Sequence, residues 1–212
     1  DVDFLAQDYS WSSNGLTTQN PAAVLGMTQP AGQDASHVVD AIMNSSAFSV
    51  EAWITPEQAE QLSASPSFIA AIVPATGTDT ASIILGQGGN DGPTSWRGSR
   101  FGAGFREAGI GFHWLWTHTG AATTNLTHLV VTYRVENDGF KLYVNGSMIR
   151  SNSAPSLGLQ SSHRINLGHY WTADSSRRWH GTHHQVAFYS RALDAGEIAA
   201  HFAAGYGGGR CL

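Results

Sequence analysis

The stretch from His128 to Arg150, HLVVTYRVENDGFKLYVNGSMIR, leaves this chain little choice of architecture. His128 to Tyr133 is short, apolar and rich in β-branched residues, the composition of a strand covered on both faces. Asn137-Asp138-Gly139 follows as a turn, because these residue types tolerate the positive φ of a tight hairpin. Phe140 to Val144 is a second strand, Asn145-Gly146 a second turn, and Ser147 to Arg150 opens a third strand. Strands joined by two tight turns make an antiparallel meander, so the chain is predicted to be all-β.

The rest of the chain repeats this pattern. Ala47 to Ile54 alternates, with Phe48, Val50, Ala52 and Ile54 on one face and Ser49, Glu51 and Trp53 on the other. Thr55-Pro56 closes that strand, and Glu57 to Leu62 reads as a short helix. His37 to Ile42, Phe68 to Val73, Ala81 to Leu85, Arg164 to Gly168 and Gln185 to Tyr189 read as further strands. Gly86 to Gly104 reads as one long loop rich in glycine and arginine, of the kind that carries function or moves. Phe105-Arg106 then starts a strand, and Gly111 to Thr119 contains another, with Phe112, Trp114, Trp116 and His118 on one side. Tyr170 to His180 is a loop, and Asp194 caps a short helix over Ala195 to Ala204 with Ile198 and Phe202 on one stripe.

Composition narrows the classes of partner. A net charge of -5, with Lys141 the only lysine, gives no general attraction to nucleic acid or to an anionic membrane surface. No apolar run reaches the roughly 18 residues that would span a bilayer, so membrane insertion is not expected. The lone Cys211 rules out an internal disulfide. Gly205-Tyr206-Gly207-Gly208-Gly209 reads as a linker. The expected organisation is one domain over 1–205 and a tail over 206–212 leading toward a covalently linked neighbour. Asp1 reads as a mature or excised start.

Five segments, in order, resemble the laminin-G-like branch of the concanavalin A-like lectin/glucanase superfamily. They are Phe48-Ser49-Val50-Glu51-Ala52-Trp53-Ile54-Thr55-Pro56, His128 to Tyr133, Leu142-Tyr143-Val144-Asn145-Gly146, Leu167-Gly168, and Tyr189-Ser190-Arg191-Ala192-Leu193 with Glu197-Ile198. The resemblance implies an antiparallel two-sheet jelly-roll sandwich with one or two short helices. On its concave face Glu51 and Trp53 could line a binding surface, but a strand tryptophan in a sandwich is usually packing and its acid hydrogen-bonded nearby, and His128 likewise reads as structural. Where the family carries an acidic pair before its last strand, this chain has Gly181-Thr182-His183-His184-Gln185-Val186, which weakens any inherited metal site. Asp8 to Gly15 is similar to the family's polar N-terminal loop, and Asp8, Ser10 and Asn14 offer hard oxygens suited to calcium.

The residues themselves point to a glycan. Trp96, Arg97, Arg100, Trp171, Arg177, Arg178 and Trp179 gather in two loops, with Trp114 and Trp116 on a strand. Tryptophan offers an apolar face for the C–H face of a sugar, and arginine holds a carboxylate or sulfate bidentately. At least one of Trp114 and Trp116 is expected in the core. His163, His169, His180, His183 and His184 lie close in sequence without a metal-ligand spacing and are expected to face solvent. A glycosidase of this superfamily would need paired acids on one strand, and Glu51 has no acidic partner two or five positions away. The expectation is a non-catalytic binding or adhesion module, secreted, periplasmic or at the cell surface, that contacts polysaccharide or glycoprotein. A polysaccharide lyase using His184, Gln185, Tyr189 and Arg178 is the alternative.

Overall fold

A computed structural model describes residues 9–12, 15–18, 36–64, 66–74, 81–91, 97–107, 111–137, 139–159, 163–168 and 177–206. In chain order they form β1 (Tyr9–Ser12), β2 (Gly15–Thr18), α1 (Ser36–Ser45), β3 (Ala47–Pro56), β4 (Gln61–Ala64), β5 (Ser67–Pro74) and β6 (Ile83–Gln87). There follow β7 (Gly89–Asp91), β8 (Phe101–Glu107), β9 (Gly111–Trp116), β10 (Thr127–Arg134), β11 (Phe140–Val144), β12 (Ser147–Asn152), β13 (His163–Leu167), β14 (Gly181–Tyr189) and α2 (Ala195–Ala204). The seven-stranded sheet runs β1-β2-β14-β3-β10-β11-β12 and the five-stranded sheet β13-β5-β6-β8-β9, with a small parallel pair β4-β7 beside them. Both large sheets are antiparallel throughout, the two-sheet sandwich expected of a jelly roll. Among the described residues no helix is long and apolar enough to cross a membrane.

The core fills the space between the sheets. Phe48, Val50, Ala52 and Ile54 of β3 and Leu129, Val131 and Tyr133 of β10 meet Ile83, Leu85, Phe101, Ala103 and Phe105 from the opposite sheet. Phe48 stacks on Tyr133 at 5.1 Å, while Phe105 meets Tyr133 and Phe140 edge-on at 4.8 Å. Each such buried ring is worth about 1.5–3 kcal/mol over an exposed one. The β11–β12 hairpin turns on Asn145 (φ 49°) and Gly146 (φ 77°), the left-handed pair that a two-residue turn demands. The Asn145 side chain also ties the turn to β10, because its Oδ1 accepts from the His128 backbone N–H at 2.9 Å.

Helix α2 lies over the outer face of the seven-stranded sheet, where Ile198 and Leu193 bury Val130 and Tyr143. Its start is held by a capping box, with the Asp194 carboxylate accepting from the Glu197 N–H and the Glu197 carboxylate accepting from the Asp194 N–H. Central strand β3 is therefore covered on both faces.

Four expectations fail. The polar loop expected over Asp8 to Gly15 contains strand β1, paired along its length with β2. Residues 37–42 lie in helix α1, not a strand, and Val39 and Ile42 point into the core. They are spaced one helical turn apart, and Val38, also packed on the core, adds to the same stripe. No helix forms over 57–62: the carbonyls of Gln58 and Ala59 accept from the Gln87 side-chain amide at 2.8 and 2.9 Å, and the Gln58 carbonyl also faces the Gln61 amide. Nor is 86–104 a single loop, since it contains the end of β6, β7 and the first half of β8.

Candidate functional site

Strands β8 and β9 carry a row of aromatic side chains on the outer face of the five-stranded sheet, where Phe112 and Trp114 pack against a buried cluster of Phe68, Ala71, Val73, Ala81 and Ile84. Strand β9 alternates, sending Leu115 toward the core and Phe112, Trp114 and Trp116 to the other side, half-buried. Directly across the ladder, Trp116 pairs with Gly102, Trp114 with Gly104 and Phe112 with Arg106. The glycines decide how the rings lie. A Cβ on Gly102 would fall 2.5 Å from Cε3 and Cζ3 of Trp116 and 2.8 Å from its Cδ2. On Gly104 it would fall 2.7 to 3.0 Å from the same atoms of Trp114. Near-equal approach to three atoms of one ring is contact with its face, so each indole lies flat over a glycine. The rings follow one another at 5.4 Å (Phe112 to Trp114) and 5.6 Å (Trp114 to Trp116), within 23° and 20° of parallel.

Cations gather at this surface. The Arg106 guanidinium lies 5.0 Å from the centre of the Phe112 ring, and Arg177 lies 5.9 Å from that of Phe68 on β5, both within cation–π range. Arg178 bridges to Phe68 through its backbone. Of the remaining candidates, Arg97 is exposed and bridges to Gly89, and Arg100 is half-buried with its guanidinium donating to Thr119 Oγ1. Trp96, Trp171, Asp8 and Asn14 lie outside the described residues.

Trp179 is a correction. It does not stand on a loop for a sugar to cover; its ring is fully buried in the core. Its indole N–H donates to Gln87 Oε1 at 2.7 Å, and its ring meets that of His183 edge-on at 4.6 Å. Gln87 Oε1 also accepts from the Gln61 amide at 3.2 Å, while Gln61 Oε1 accepts from the His180 N–H at 2.9 Å. A buried indole needs such an acceptor, and the glutamine pair supplies it. The two arginines before Trp179 suggested a wet loop, whereas the chain dives inward directly after them.

Two of the clustered histidines are also inside rather than in solvent. His163 is fully buried beside Ser82 Oγ at 2.9 Å. His183 donates from Nε2 to the Ile69 carbonyl at 2.9 Å, and burial pulls its pKa down to about 4, which keeps it neutral. His184 Nε2 lies 2.8 Å from Thr55 Oγ1. Among the described residues no group of three or more His, Cys, Asp or Glu is placed to hold a metal ion.

Among the described residues one carboxylate, Glu51, is buried, and it sits under α2. Glu51 accepts from His128 Nε2 at 2.8 Å, from the Tyr189 hydroxyl at 2.7 Å and from His201 Nδ1 at 3.1 Å. Burial raises its pKa, but the hydrogen bonds from His128 and Tyr189 and the charge of His201 outweigh that and bring it down to about 2. Trp53 stacks on His128 at 4.6 Å and on Phe202 of α2 at 5.8 Å, sealing one side, and Tyr206 lies against His184 at 4.6 Å. Glu51, Trp53 and His128 thus have the packing roles that the sequence assigned them. The Tyr189 hydroxyl donates to Glu51 and His184 Nε2 lies beside Thr55 within the seven-stranded sheet, while the Arg178 backbone bridges to Phe68 of the other sheet.

Comparison with known proteins bears on the fold. A family model described as the concanavalin A-like lectin/glucanases superfamily matches residues 30–199. The fold is similar to the CBM40 of the Ruminococcus gnavus IT-sialidase, solved with α2,3-sialyllactose, at 15% identity and a TM-score of 0.58 over 79% of this chain and 89% of that one. It is similar to a sialidase from Trypanosoma rangeli at 15% identity and a TM-score of 0.57, over 93% of this chain and 28% of that one. A heptameric SAP-like pentraxin from Limulus polyphemus aligns at 13% identity and a TM-score of 0.53, over 72% and 68% of the two chains. None of the curated proteins compared with the chain matches it. With two antiparallel sheets, the expected motifs on their strands and a family match across most of its length, the chain belongs to the concanavalin A-like lectin/glucanases superfamily.

Proposed function

We propose that this chain is a non-catalytic glycan-binding module of a larger extracytoplasmic protein, and that it binds through the Phe112–Trp114–Trp116 surface. The observation that carries this reading is the pair Gly102 and Gly104, whose missing side chains let two indoles lie flat on β8. Rings held flat before the ligand arrives lose little rotamer freedom on binding, and their faces suit the C–H face of a pyranose. The CBM40 solved with sialyllactose shares the fold and lends the reading support by analogy only. Glu51 supports a non-catalytic role, because α2 covers it and three donors already occupy its oxygens. Calcium, held by Asp8 and Asn14, belongs to the same proposal.

The test is a glycan array probed with the protein, followed by titration of each hit against Trp116→Ala. The variant is expected to lose at least tenfold in affinity while unfolding with less destabilisation than a core tryptophan truncation. A protein that binds no glycan, or a variant that binds as tightly as the parent, overturns the reading.

A further inference from the structure

We infer that this chain has a second binding site, a cleft of about 630 Å³ at one end of the sandwich, and that it takes an amino sugar with a free ammonium group. The cleft shares no residue with the aromatic row on β9, so it goes beyond the reading given above. Its volume falls within the roughly 300–1,000 Å³ of small-molecule sites. Strands of both sheets end here. Glu107 closes β8, and His113 lies near the start of β9 on the side of Phe105, opposite to Phe112, Trp114 and Trp116. The rest of the lining comes from the seven-stranded sheet: Val135, Glu136 and Asn137 after β10, and Asn152 to Pro155 at the end of β12.

These walls are fixed before a ligand arrives. His113 stacks on buried Phe105 at 5.0 Å, and its Nε2 lies 2.5 Å from Glu107 Oε2, which holds that carboxylate in place. The Ala154 N–H donates to the Glu136 carbonyl at 3.2 Å, and the hydroxyl of buried Tyr133 donates to the Pro155 carbonyl. Asn152 Oδ1 accepts from the Ser153 N–H at 2.8 Å, leaving its amide N–H groups as donors. A site ordered in advance loses less freedom on binding.

The lining selects by charge. Glu136 Oε1 accepts from the exposed Arg134 at 2.7 Å. The second oxygen of each glutamate, Glu107 Oε1 and Glu136 Oε2, accepts no hydrogen bond among the described residues. Among those residues neither lysine nor arginine lines the cleft. Two carboxylates with open acceptor positions favour a ligand that is rich in donors and positively charged, since charge-assisted hydrogen bonds are about twice as strong as neutral ones. Asn137, Asn152 and Ser153 offer partners for hydroxyls, and Val135 and Pro155 offer apolar surface for the C–H bonds of a pyranose. An acidic sugar would meet like charge.

The test titrates glucosamine oligomers of one to four units, their N-acetylated forms and galacturonate oligomers into the full chain by calorimetry. The free-amine oligomers are expected to bind at least tenfold more tightly than the acetylated ones, with galacturonate weakest. Glu107→Gln and Glu136→Gln should each remove most of that preference. Glu136 is exposed, so its variant keeps the test open if Glu107→Gln fails to fold. Ser153→Trp, which fills the cleft from an exposed position, should weaken binding of the free-amine oligomers at least tenfold, whereas Trp116→Ala should leave it unchanged. Absence of free-amine binding, equal affinity for the acetylated forms, equal affinity for ethanolamine, or a preference retained in both glutamine variants overturns the inference. If Trp116→Ala rather than Ser153→Trp removes binding, the amine is held on the aromatic row and the cleft is not the site.

Discussion

Adding one methyl group at Gly102 tests whether the tryptophan surface is built as described. In Gly102→Ala the new carbon would sit 2.5 Å from Cε3 and Cζ3 of Trp116, about 1 Å inside ordinary carbon–carbon contact. Central-strand backbone cannot retreat, since β8 is paired on both sides, with β6 and β9. The indole must lift instead. Overpacking of this kind costs about 1–3 kcal/mol. For a domain of this length that lowers Tm by roughly 3–10 °C. The lifted ring also loses its near-parallel placement 5.6 Å from Trp114, so glycan affinity should fall about tenfold, or 1.4 kcal/mol. The decisive measurement is a double-mutant cycle by urea unfolding. In a Trp116→Ala background the methyl meets no ring, and the alanine should be neutral or stabilise by about 0.4–1 kcal/mol through the unfolded chain. The coupling between positions 102 and 116 should therefore exceed about 1 kcal/mol. If the two substitutions are additive, the indole does not rest on the glycine and the reasoning fails.

Other outcomes follow from the same structure. Glu51, at about 2 when folded and 4.5 as the ordinary value, binds its proton more readily in the unfolded chain. Its contribution, on the order of 3 kcal/mol, is thus complete above pH 4.5 and is lost as pH falls toward 2. Urea midpoints measured from pH 6 to 2 should show this acid limb in the parent and a flatter one in Glu51→Gln; identical limbs would assign it to other groups. Trp179→Ala should cost about 3–5 kcal/mol by chemical denaturation, with glycan affinity per folded molecule unchanged. If calcium binds at Asp8 and Asn14, a hundredfold excess over Kd should add about 2.7 kcal/mol of stability. A Tm indifferent to calcium and chelator removes that site, and a full shift retained in Asp8→Ala moves it.

What the sequence disclosed was the part written in local alternation. Strands β3, β10 and β11 could be read because their apolar residues recur every second position between turn residues. That Phe112, Trp114 and Trp116 share one side could be read for the same reason, but not that this side faces away from the space between the sheets, since at least one of the two tryptophans was expected in the core. Its floor could not: Gly102 and Gly104 looked like part of a flexible loop, and only the register of β8 against β9 turns them into missing side chains beneath two indoles. Arg106 was overlooked because its significance lies in a cross-strand neighbour. A helical spacing in α1 was present, in Val38, Val39 and Ile42, but the adjacent valines suggested a strand. Trp179 misled because burial of an indole depends on an acceptor 92 residues away, Gln87, which no local pattern reveals.

The position of β3 has a consequence for how the chain is made. Its two ladder partners are β10 and β14, the latter beginning at Gly181, and the carboxylate of Glu51 is completed by Tyr189 and by His201, 150 residues later. A ribosome adding about 5–20 residues per second therefore releases this strand several seconds before either edge can be paired. During that interval β3 keeps two open edges even after β5, β6, β8 and β9 of the opposing sheet have been made, and unpaired strand edges are templates for the wrong neighbour. Such long-range closure also makes folding slow once the chain is complete. Yield in the cell should consequently depend on whatever shields residues 47–56 during synthesis, and a chain stopped before α2 would carry Glu51 without the imidazole of His201.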